Sequence, residues 1–434
     1  MKENNDYKPL MVQKKVLDIV RKCFENENNG VMDARQIAFD ELGEFLIETG
    51  DGSFTFQSEC LEDSSETMHT FHGGLDESLE KYVKPSHLIG RADVHIMDIC
   101  SGLGYTAAVC LEYLNDDTIN TAKNPNIRIE MVEISALTLA AGLIIPSPLK
   151  SHEIVKKAIE DHLFSIGFLK HRNITTEIPP NIKLNIHIID AREIVKNSLF
   201  KPTKDHTIEN GYEQLDVGLD EQNKKFDAIL LVPFSPGVSP ELYSIDFLKG
   251  IIPLLKTDGM LLTYTSSSAV RYSLIELGLY VGEGPSFNRS GGTLASPHKE
   301  CIEKPLISRD ERMVALSDAG IPFRDTELDN SGFEINERRQ NERAKARKEY
   351  KLASTVKSPV YLFKNIKDGR LRRRILKDFH KFGIEDLISE KSKFIVCPQY
   401  KECICGNECE YIDNSSERVI EMEKRLNIII NNQK

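Results

Sequence analysis

The chain carries the sequence Ile-Met-Asp-Ile-Cys-Ser-Gly-Leu-Gly-Tyr at residues 96–105. The apolar first half, with Val94 just upstream, predicts a buried parallel strand, and the sequence Thr-Ala-Ala-Val-Cys-Leu-Glu-Tyr from Thr106 predicts a helix. Between the two lies a Gly-x-Gly turn, Gly102 and Gly104, whose glycines allow a backbone to approach a ligand closely. A strand, a glycine turn and a helix start together predict a nucleotide-type cofactor site.

This turn differs from two other glycine-rich motifs. Residue 107 is alanine, so the third glycine of the dinucleotide fingerprint is absent, and so is the Lys-Ser/Thr pair of the P-loop. The order of Asp98 before Gly102 and Gly104 instead resembles the first motif of S-adenosyl-L-methionine (SAM) methyltransferases.

Strand and helix signals alternate from about residue 90 to residue 277. Strands are predicted at 94–99, 127–133, 184–189, 226–232 and 259–265. Helices are predicted between and after them, at 105–114, 135–143, 151–167, 191–199, 241–255 and 267–277. This alternation predicts an α/β fold with a doubly wound, Rossmann-like parallel sheet.

Three regions are predicted along the chain. Residues 1–88 form an N-terminal region of helices and a hairpin, residues 89–300 the methyltransferase-like sheet domain, and residues 301–434 a basic extension with a cysteine cluster. Within the extension, residues 360–363 are a candidate last strand and residues 416–430 a terminal helix.

Acidic side chains follow three successive predicted strands. Asp98 can hold the ammonium group of a SAM ligand directly or through water, and Glu133 can accept hydrogen bonds from both ribose hydroxyls. Asp190 can bond the adenine amino group, although an aspartate at a strand end is also a common helix N-cap. The carboxyl ends of parallel strands meet at the edge where such folds bind ligands. The predicted cofactor-binding residues are Asp98, Gly102, Gly104, Tyr105, Glu133, Asp190 and Ala191.

Segments spread between about residues 50 and 345 resemble one known family. They are Thr49-Gly-Asp-Gly-Ser-Phe-Thr, Met68-His-Thr-Phe-His-Gly-Gly-Leu-Asp-Glu-Ser, the glycine turn, Asp190-Ala-Arg, Phe226-Asp-Ala-Ile-Leu-Leu-Val-Pro-Phe-Ser-Pro, Gly259-Met-Leu-Leu-Thr-Tyr-Thr-Ser and Pro322-Phe-Arg-Asp. The most specific is the Phe-Ser-Pro segment, with Pro240-Glu-Leu-Tyr just after it. The chain resembles the MnmC-type SAM-dependent methyltransferases, which finish the 5-methylaminomethyl group on the wobble uridine of tRNA.

The resemblance implies an enzyme that uses SAM, has tRNA as its partner and transfers a methyl group to a nitrogen. It also implies that the segment at 69–72 and the Phe-Ser-Pro segment lie near the substrate. The implied substrate-binding residues are His69, Phe234, Ser235 and Pro236. Surface or packing roles for the histidines, and a loop-shaping role for Ser235 and Pro236, stay open.

One position departs from the family pattern. Where the family has an acid ending the fourth strand, beside the amine to be methylated, this chain has Val232. Valine can neither orient an amine nor assist the loss of its proton. Three interpretations remain: Tyr264, Glu241 or a histidine of the 69–72 segment replaces the acid, the substrate differs, or catalysis is lost while binding persists. No catalytic residue is assigned.

Two basic segments follow the sheet domain. Arg372 and Arg373, in the run Arg372–Arg374, are predicted to contact RNA phosphates, the alternative being a solvated helix face. The arginines at 338–348 alternate with glutamates, and for these the solvated helix face is favoured. Because the net charge is −11, any RNA contact depends on a local basic patch.

Four of the nine cysteines form a C-x5-C-x-C-x3-C cluster near the C-terminus: Cys397, Cys403, Cys405 and Cys409. Four thiolates this close can bind tetrahedral zinc or an iron–sulfur cluster. The spacing matches neither the paired CxxC zinc ribbon nor the ferredoxin run. Metal binding is therefore predicted, with zinc favoured and an iron–sulfur cluster as the alternative.

The composition is that of a soluble globular protein, with 40% hydrophobic and 28% charged residues. No 18-residue apolar run and no apolar signal region are present, which predicts a cytoplasmic protein without a membrane span. The sequence predicts a SAM-dependent methyltransferase acting on tRNA. The alternatives are a SAM-dependent methyltransferase acting on a protein or a small molecule, and a catalytically impaired SAM- or RNA-binding protein.

Overall fold

The computed structural model describes most of the 434 residues of the chain. The described residues are 12–59, 65–199, 225–287, 291–349, 373, 376–377, 379–386, 388–412 and 415–432. The candidate strand at 360–363 and Arg372 lie outside them.

The N-terminal region contains short helices and a small hairpin. Its elements are α1 (Lys14–Asn28), α2 (Ala34–Leu42), β1 (Ile47–Glu48), β2 (Phe54–Thr55) and α3 (Gly74–Ser78), which continues into a π turn (Leu79–Val83). β1 and β2 pair antiparallel, as the Asp51-Gly52 turn predicts.

A seven-stranded sheet forms the centre of the molecule. Its strands are β3 (Asp93–Ile99), β4 (Asn126–Glu133), β5 (Ile182–Ile188), β6 (Phe226–Leu231), β7 (Leu255–Thr263), β8 (Tyr280–Glu283) and β9 (Thr293–Ser296). The spatial order is β5-β4-β3-β6-β7-β9-β8. The strand order reverses between β3 and β6, and in doubly wound folds this switch point opens the ligand crevice at the carboxyl edge.

The predicted α/β, doubly wound fold is confirmed, but the sheet is mixed rather than wholly parallel. Strands β3 to β7 run parallel. The exception is β9, which lies between β7 and β8 and runs antiparallel to both. Strands β8 and β9 have only four residues each, too few for their alternation to be read in the sequence.

Helices cover both faces of the sheet and extend beyond it. They are α4 (Tyr105–Leu114), α5 (Ala136–Ile144), α6 (Lys150–Ser165), α7 (Arg192–Lys196), α8 (Ile245–Ile251), α9 (Ser268–Glu276), α10 (Ser308–Leu316), α11 (Gly332–Glu349), α12 (Glu390–Val396) and α13 (Ser415–Asn431). One buried core unites α1, α4, α5 and α6 with one face of the sheet. A second core joins α7, α8 and α9 to the other face.

The predicted helix at 241–255 is wrong as one continuous helix. The segment is a 3₁₀ turn (Pro240–Tyr243), then α8, then a second 3₁₀ turn (Ile252–Leu254) that leads straight into β7. Pro253 has no backbone N–H to continue the helix, so the chain extends from Leu255, four residues earlier than predicted.

Helix α11 is polar, and its arginines bind the preceding segment of the chain. Arg339 donates to the main-chain oxygens of Ile321 (2.6 Å) and Ala319 (2.9 Å). Arg343 and Arg347 both pair with the buried carboxylate of Asp318. These contacts correct the expectation of a merely solvated face, since three of the arginines fasten the 318–321 turn.

A third, smaller core lies in the C-terminal region. Its buried members are Phe379, Ile384, Ile395, Val396, Met422 and Leu426, and none of them belongs to either sheet core. Among the described residues, no helix combines the length and apolar character needed to cross a membrane.

Candidate active site

The glycine turn after β3 is built from left-handed residues. Cys100, Gly102 and Gly104 have φ angles of +67°, +53° and +83°. A Cβ on Gly104 would lie 2.8 Å from Cγ1 of Val155, so this glycine allows α4 to start close against α6. A Cβ on Gly102 would lie 2.8 Å from Cε of Met68, a residue that lines the adjoining cavity. Gly104 therefore serves packing, while Gly102 keeps the cavity floor open.

A cleft of about 920 Å³, counted to its open mouth, lies at the carboxyl ends of the parallel strands. Its wall combines the glycine turn with the ends of β4, β5 and β6. The predicted residues that line it are Gly102, Glu133, Asp190, Ala191, Phe234 and His69.

Glu133 ends β4 and fastens the glycine turn. Its carboxylate accepts hydrogen bonds from the backbone N–H of Gly102 (3.1 Å) and of Ser135 (3.0 Å). Burial raises the pKa of Glu133, and these N–H donors act against that rise. A carboxylate has about four acceptor positions, so two bonds leave capacity for a ligand hydroxyl in the cleft.

Asp190 follows β5 and is held by Arg192. Its Oδ1 accepts from the backbone N–H of Arg192 (2.9 Å), as a helix-start aspartate does, and its Oδ2 pairs with the guanidinium of Arg192 (2.8 Å). The same guanidinium reaches Asp325 (3.0 Å) and the main-chain oxygen of Asn330 (2.9 Å). Arg192 thus fixes the cleft wall to the segment that precedes α11.

Asp98 lies fully buried beneath the turn and is not part of the cleft lining. The hydroxyl of Ser101 donates to its main-chain oxygen (2.9 Å), while neither carboxyl oxygen has a hydrogen-bond partner. Burial raises the pKa of Asp98 to about 7. A buried acid without donors is the kind of group that a cationic ligand can satisfy.

Tyr105 is also buried and lies outside the cleft lining. Its hydroxyl accepts a hydrogen bond from the backbone N–H of Phe54 (3.1 Å), which ties β2 to the start of α4. Its ring contacts His69, with centroids 5.3 Å apart. His69 faces the cleft, its Nδ1 is shielded from water without a partner, and burial lowers its pKa to about 4. His69 is therefore a neutral imidazole at physiological pH.

The Phe-Ser-Pro segment follows β6, the strand that pairs with β3. Val232, Pro233 and Phe234 line the cleft, whereas Ser235 and Pro236 do not. Ser235 is held in place by Glu66, whose carboxylate accepts hydrogen bonds from the backbone N–H (2.9 Å) and from the hydroxyl of Ser235. Glu66 was missed in the sequence, because its partner lies 169 residues away.

Of the candidates for the missing acid, the structure brings Glu241 and His69 to the cleft. Tyr264 packs against the first sheet core instead, and His72 is exposed. Glu241 is a buried residue in the 3₁₀ turn Pro240–Tyr243, close to the start of α11. Glu241 is thus a carboxylate that shares a cavity with Val232.

The other predicted site residues lie elsewhere. Arg373 is exposed. The four clustered cysteines, Cys397, Cys403, Cys405 and Cys409, bring their sulfur atoms within 4.8 Å of one another.

Comparison with known proteins identifies the family. A family model described as S-adenosyl-L-methionine-dependent methyltransferase matches residues 150–298. The chain is 30% identical over 373 residues to the uncharacterized protein MJ0670 of Methanocaldococcus jannaschii, which covers 85% of this chain and 91% of that protein. The chain belongs to the S-adenosyl-L-methionine-dependent methyltransferases.

The crystal structure of MNMC2 from Aquifex aeolicus shares the fold of this methyltransferase. The match has a TM-score of 0.50 at 24% identity and covers 76% of this chain and 99% of that one. The predicted SAM-dependent enzyme class is confirmed, and the resemblance to MnmC-type methyltransferases is confirmed at the level of the fold.

The cleft of this methyltransferase fits the cofactor of its family. SAM carries a sulfonium centre, an amino acid portion with an ammonium group, a ribose diol and an adenine. The cleft supplies acidic acceptors at Glu133 and Asp190, the open backbone at Gly102, and the unsatisfied Asp98 beneath it. The individual contacts of these residues with SAM remain predictions.

Proposed function

We propose that this methyltransferase methylates the aminomethyl nitrogen of a modified wobble uridine in tRNA. The observation that supports it is one cavity shared by the glycine turn, the Val232–Phe234 wall and Glu241. A cofactor site alone would not indicate which chemical group accepts the methyl group. The buried carboxylate beside the apolar wall suits an acceptor that arrives as a cation.

In this proposal the cofactor is held at the strand ends. The carboxylate of Glu133 accepts hydrogen bonds from the ribose hydroxyls, and Asp190 and Ala191 contact the adenine. Asp98, which lies beneath the glycine turn, offsets the positive charge of the ammonium group. When bound, SAM supplies an activated methyl group on its sulfonium centre. Arg192 keeps Asp190 in position, since its guanidinium holds both carboxyl oxygens.

Glu241 takes the role that the family acid has at position 232. An aminomethyl group is mostly protonated at neutral pH, and only the free amine can attack a methyl group. The carboxylate of Glu241 orients the ammonium group and accepts its proton. Val232, Pro233 and Phe234 contribute a dry wall, where charge interactions are stronger than in water.

The test compares wild type with Glu241→Gln, which keeps the shape and removes the charge. The substrate is tRNA that carries the aminomethyl uridine, and the readouts are methyl transfer from labelled SAM and calorimetric SAM binding. We expect SAM affinity to stay within about twofold, while the rate falls by about 100-fold, the lower range for general-base catalysis. Glu303→Gln, at a side chain that is 81% exposed, is the matched control.

Two results would contradict the proposal separately. Equal rates of methyl transfer for wild type and Glu241→Gln would show that Glu241 does not act as the proton acceptor. If the wild type binds SAM but transfers no methyl group to this tRNA, the tRNA is not the substrate.

We also propose that the basic segment at 372–374 contacts tRNA phosphates. Residues 1–88 would support the sheet, residues 89–300 would bind SAM and carry out methyl transfer, and residues 301–434 would dock the RNA. Replacing Arg372 and Arg373 by alanine should weaken tRNA binding and lower the slope of log affinity against log salt by about two. An unchanged slope would exclude these arginines from the RNA contact.

A further inference from the structure

The four cysteines near the C-terminus form a compact set of sulfur atoms. Adjacent Sγ atoms are 3.7 Å apart for Cys397 and Cys403, 3.7 Å for Cys403 and Cys405, and 3.5 Å for Cys405 and Cys409. All four lie within 4.8 Å of one another. A zinc ion bonds thiolates at about 2.3 Å, so the edge of its tetrahedron is about 3.8 Å long. The observed separations match one shared ion.

The same distances argue against an iron–sulfur cluster. In a [4Fe–4S] cluster each cysteine binds a different iron, and in a [2Fe–2S] cluster two cysteines bind each iron. Sulfur atoms on different irons stand farther apart than those that share one ion. Here no pair of the four stands apart from the others.

The surroundings of the thiolates suit a structural metal site. Cys397 is buried at the end of α12, and its sulfur accepts from the backbone N–H of Ile404 (3.4 Å). Arg425 of α13 lies beside Cys409, and its guanidinium also donates to the main-chain oxygen of Phe394 (3.0 Å). Four thiolates around Zn²⁺ carry a net charge of −2, which a neighbouring guanidinium offsets.

We propose that Cys397, Cys403, Cys405 and Cys409 hold one zinc ion, which fastens the end of α12 to the segment 403–409 that precedes α13. All four coordination positions are filled by protein, the arrangement of a structural rather than a catalytic site. Among the described residues of this region, six buried hydrophobic side chains form the core. So small a core seldom holds by itself, and a bound metal adds folding free energy directly.

The experiment measures metals in the full chain, purified without added metal. Elemental analysis should give one zinc per chain with little iron. Replacing the metal with Co²⁺ should produce the intense absorption of a tetrahedral tetrathiolate site. Cys403→Ser should lower the zinc content at least tenfold, whereas the control Cys301→Ser, a cysteine outside the cluster, should retain it.

A second readout does not depend on the folding of a variant. Chelation of wild-type protein should expose the α12–α13 region to protease, while cleavage within the described segments 65–199 and 225–287 should stay unchanged. Absence of zinc together with no Co²⁺ absorption, or two or more irons per chain with visible colour, would overturn the proposal. Equal protease resistance with and without chelator would overturn the fastening role.

Discussion

At the scale of single residues, the carboxyl group of Asp98 has the most distinctive chemistry. It is fully buried, neither oxygen has a hydrogen-bond partner, and burial raises its pKa from 3.8 to about 7. The folded state therefore keeps a proton that the unfolded chain releases. Stability from this group is complete below about pH 4 and is lost as the pH rises to about 7.

Asp98→Asn should remove this pH dependence. The free energy of unfolding of wild type should fall, relative to the variant, by up to about 1.4 kcal/mol per pH unit between pH 5 and 7. Above about pH 7 the difference should level off, since Asp98 is then ionised in both states. Urea denaturation across pH 5–8 measures both proteins, and parallel curves would contradict the assigned pKa.

Gly104 gives a second prediction at this scale. Alanine there would meet both a φ of +83° and Val155 at 2.8 Å, whereas Gly167, at φ +77°, has open space around it. Gly167→Ala should therefore cost about 1–2 kcal/mol from the backbone alone. Gly104→Ala should cost a further 1–3 kcal/mol, roughly, from overpacking. Equal melting temperatures for the two variants would show that α4 and α6 can separate without cost.

The sequence reveals only part of the site at this scale. The glycine turn and the acids at the strand ends are local patterns, and a single segment contains each. Long-range partners hold Arg192 and Ser235: Asp325 accepts from Arg192 across 133 residues, and Glu66 accepts from Ser235 across 169. No spacing rule predicts such pairs, so only the structure could show what holds the cleft wall.

At the scale of secondary structure elements, Glu130 joins three neighbouring strands. It lies on β4 and accepts hydrogen bonds from Asn185 (2.8 Å) and His187 (2.7 Å) of β5, with His95 of β3 at 3.4 Å. Burial alone would raise its pKa, but the hydrogen bonds from His187 and His95 outweigh burial and hold the pKa at about 2.

Glu130→Ala should therefore destabilise the sheet strongly. Removing one partner of a buried charged network costs about 3–5 kcal/mol. Because the folded pKa of Glu130 lies below its unfolded value of 4.5, its contribution is present above about pH 4.5 and is lost as the pH falls toward 2. Chemical denaturation at pH 7 checks the change, with Glu177→Ala, at an exposed residue, as control. A loss below 1 kcal/mol would contradict the bridging role.

Length decides which elements the sequence can predict. The parallel strands β3 and β4, seven and eight residues long and largely buried, are long enough for their recurring apolar residues to predict a strand. The four-residue strands β8 and β9 lack that signal, and the antiparallel pairing of β9 with β7 and of β8 with β9 depends on contacts outside the segments themselves. Pro253 could have marked the break in the predicted helix at 241–255.

At the scale of the whole molecule, the N-terminal region belongs to the main core. Val20, Phe24 and Phe56 are buried in the same cluster as the apolar side chains of β3 and α4. The described residues beyond 349, in contrast, contribute to neither sheet core. The composition shift near residue 300 marks a change of character, but it does not reveal which regions share a core.

Two truncations should behave oppositely. Removal of residues 1–88 should abolish cooperative thermal unfolding, because it uncovers one face of the sheet. Removal of residues 350–434 should preserve it, since both sheet cores stay intact. Circular dichroism on heating distinguishes them. A cooperative transition near the full-length midpoint after the N-terminal deletion would contradict the shared core.

The most direct test of the central claim is a comparison of tRNA nucleosides from the source organism with and without this gene. Mass spectrometry should show the aminomethyl wobble uridine accumulating and its methylated product lost in the deletion strain. The gene for Glu241→Gln should fail to restore the product, while the wild-type gene should restore it. An unchanged wobble-uridine profile in the deletion strain would contradict the account.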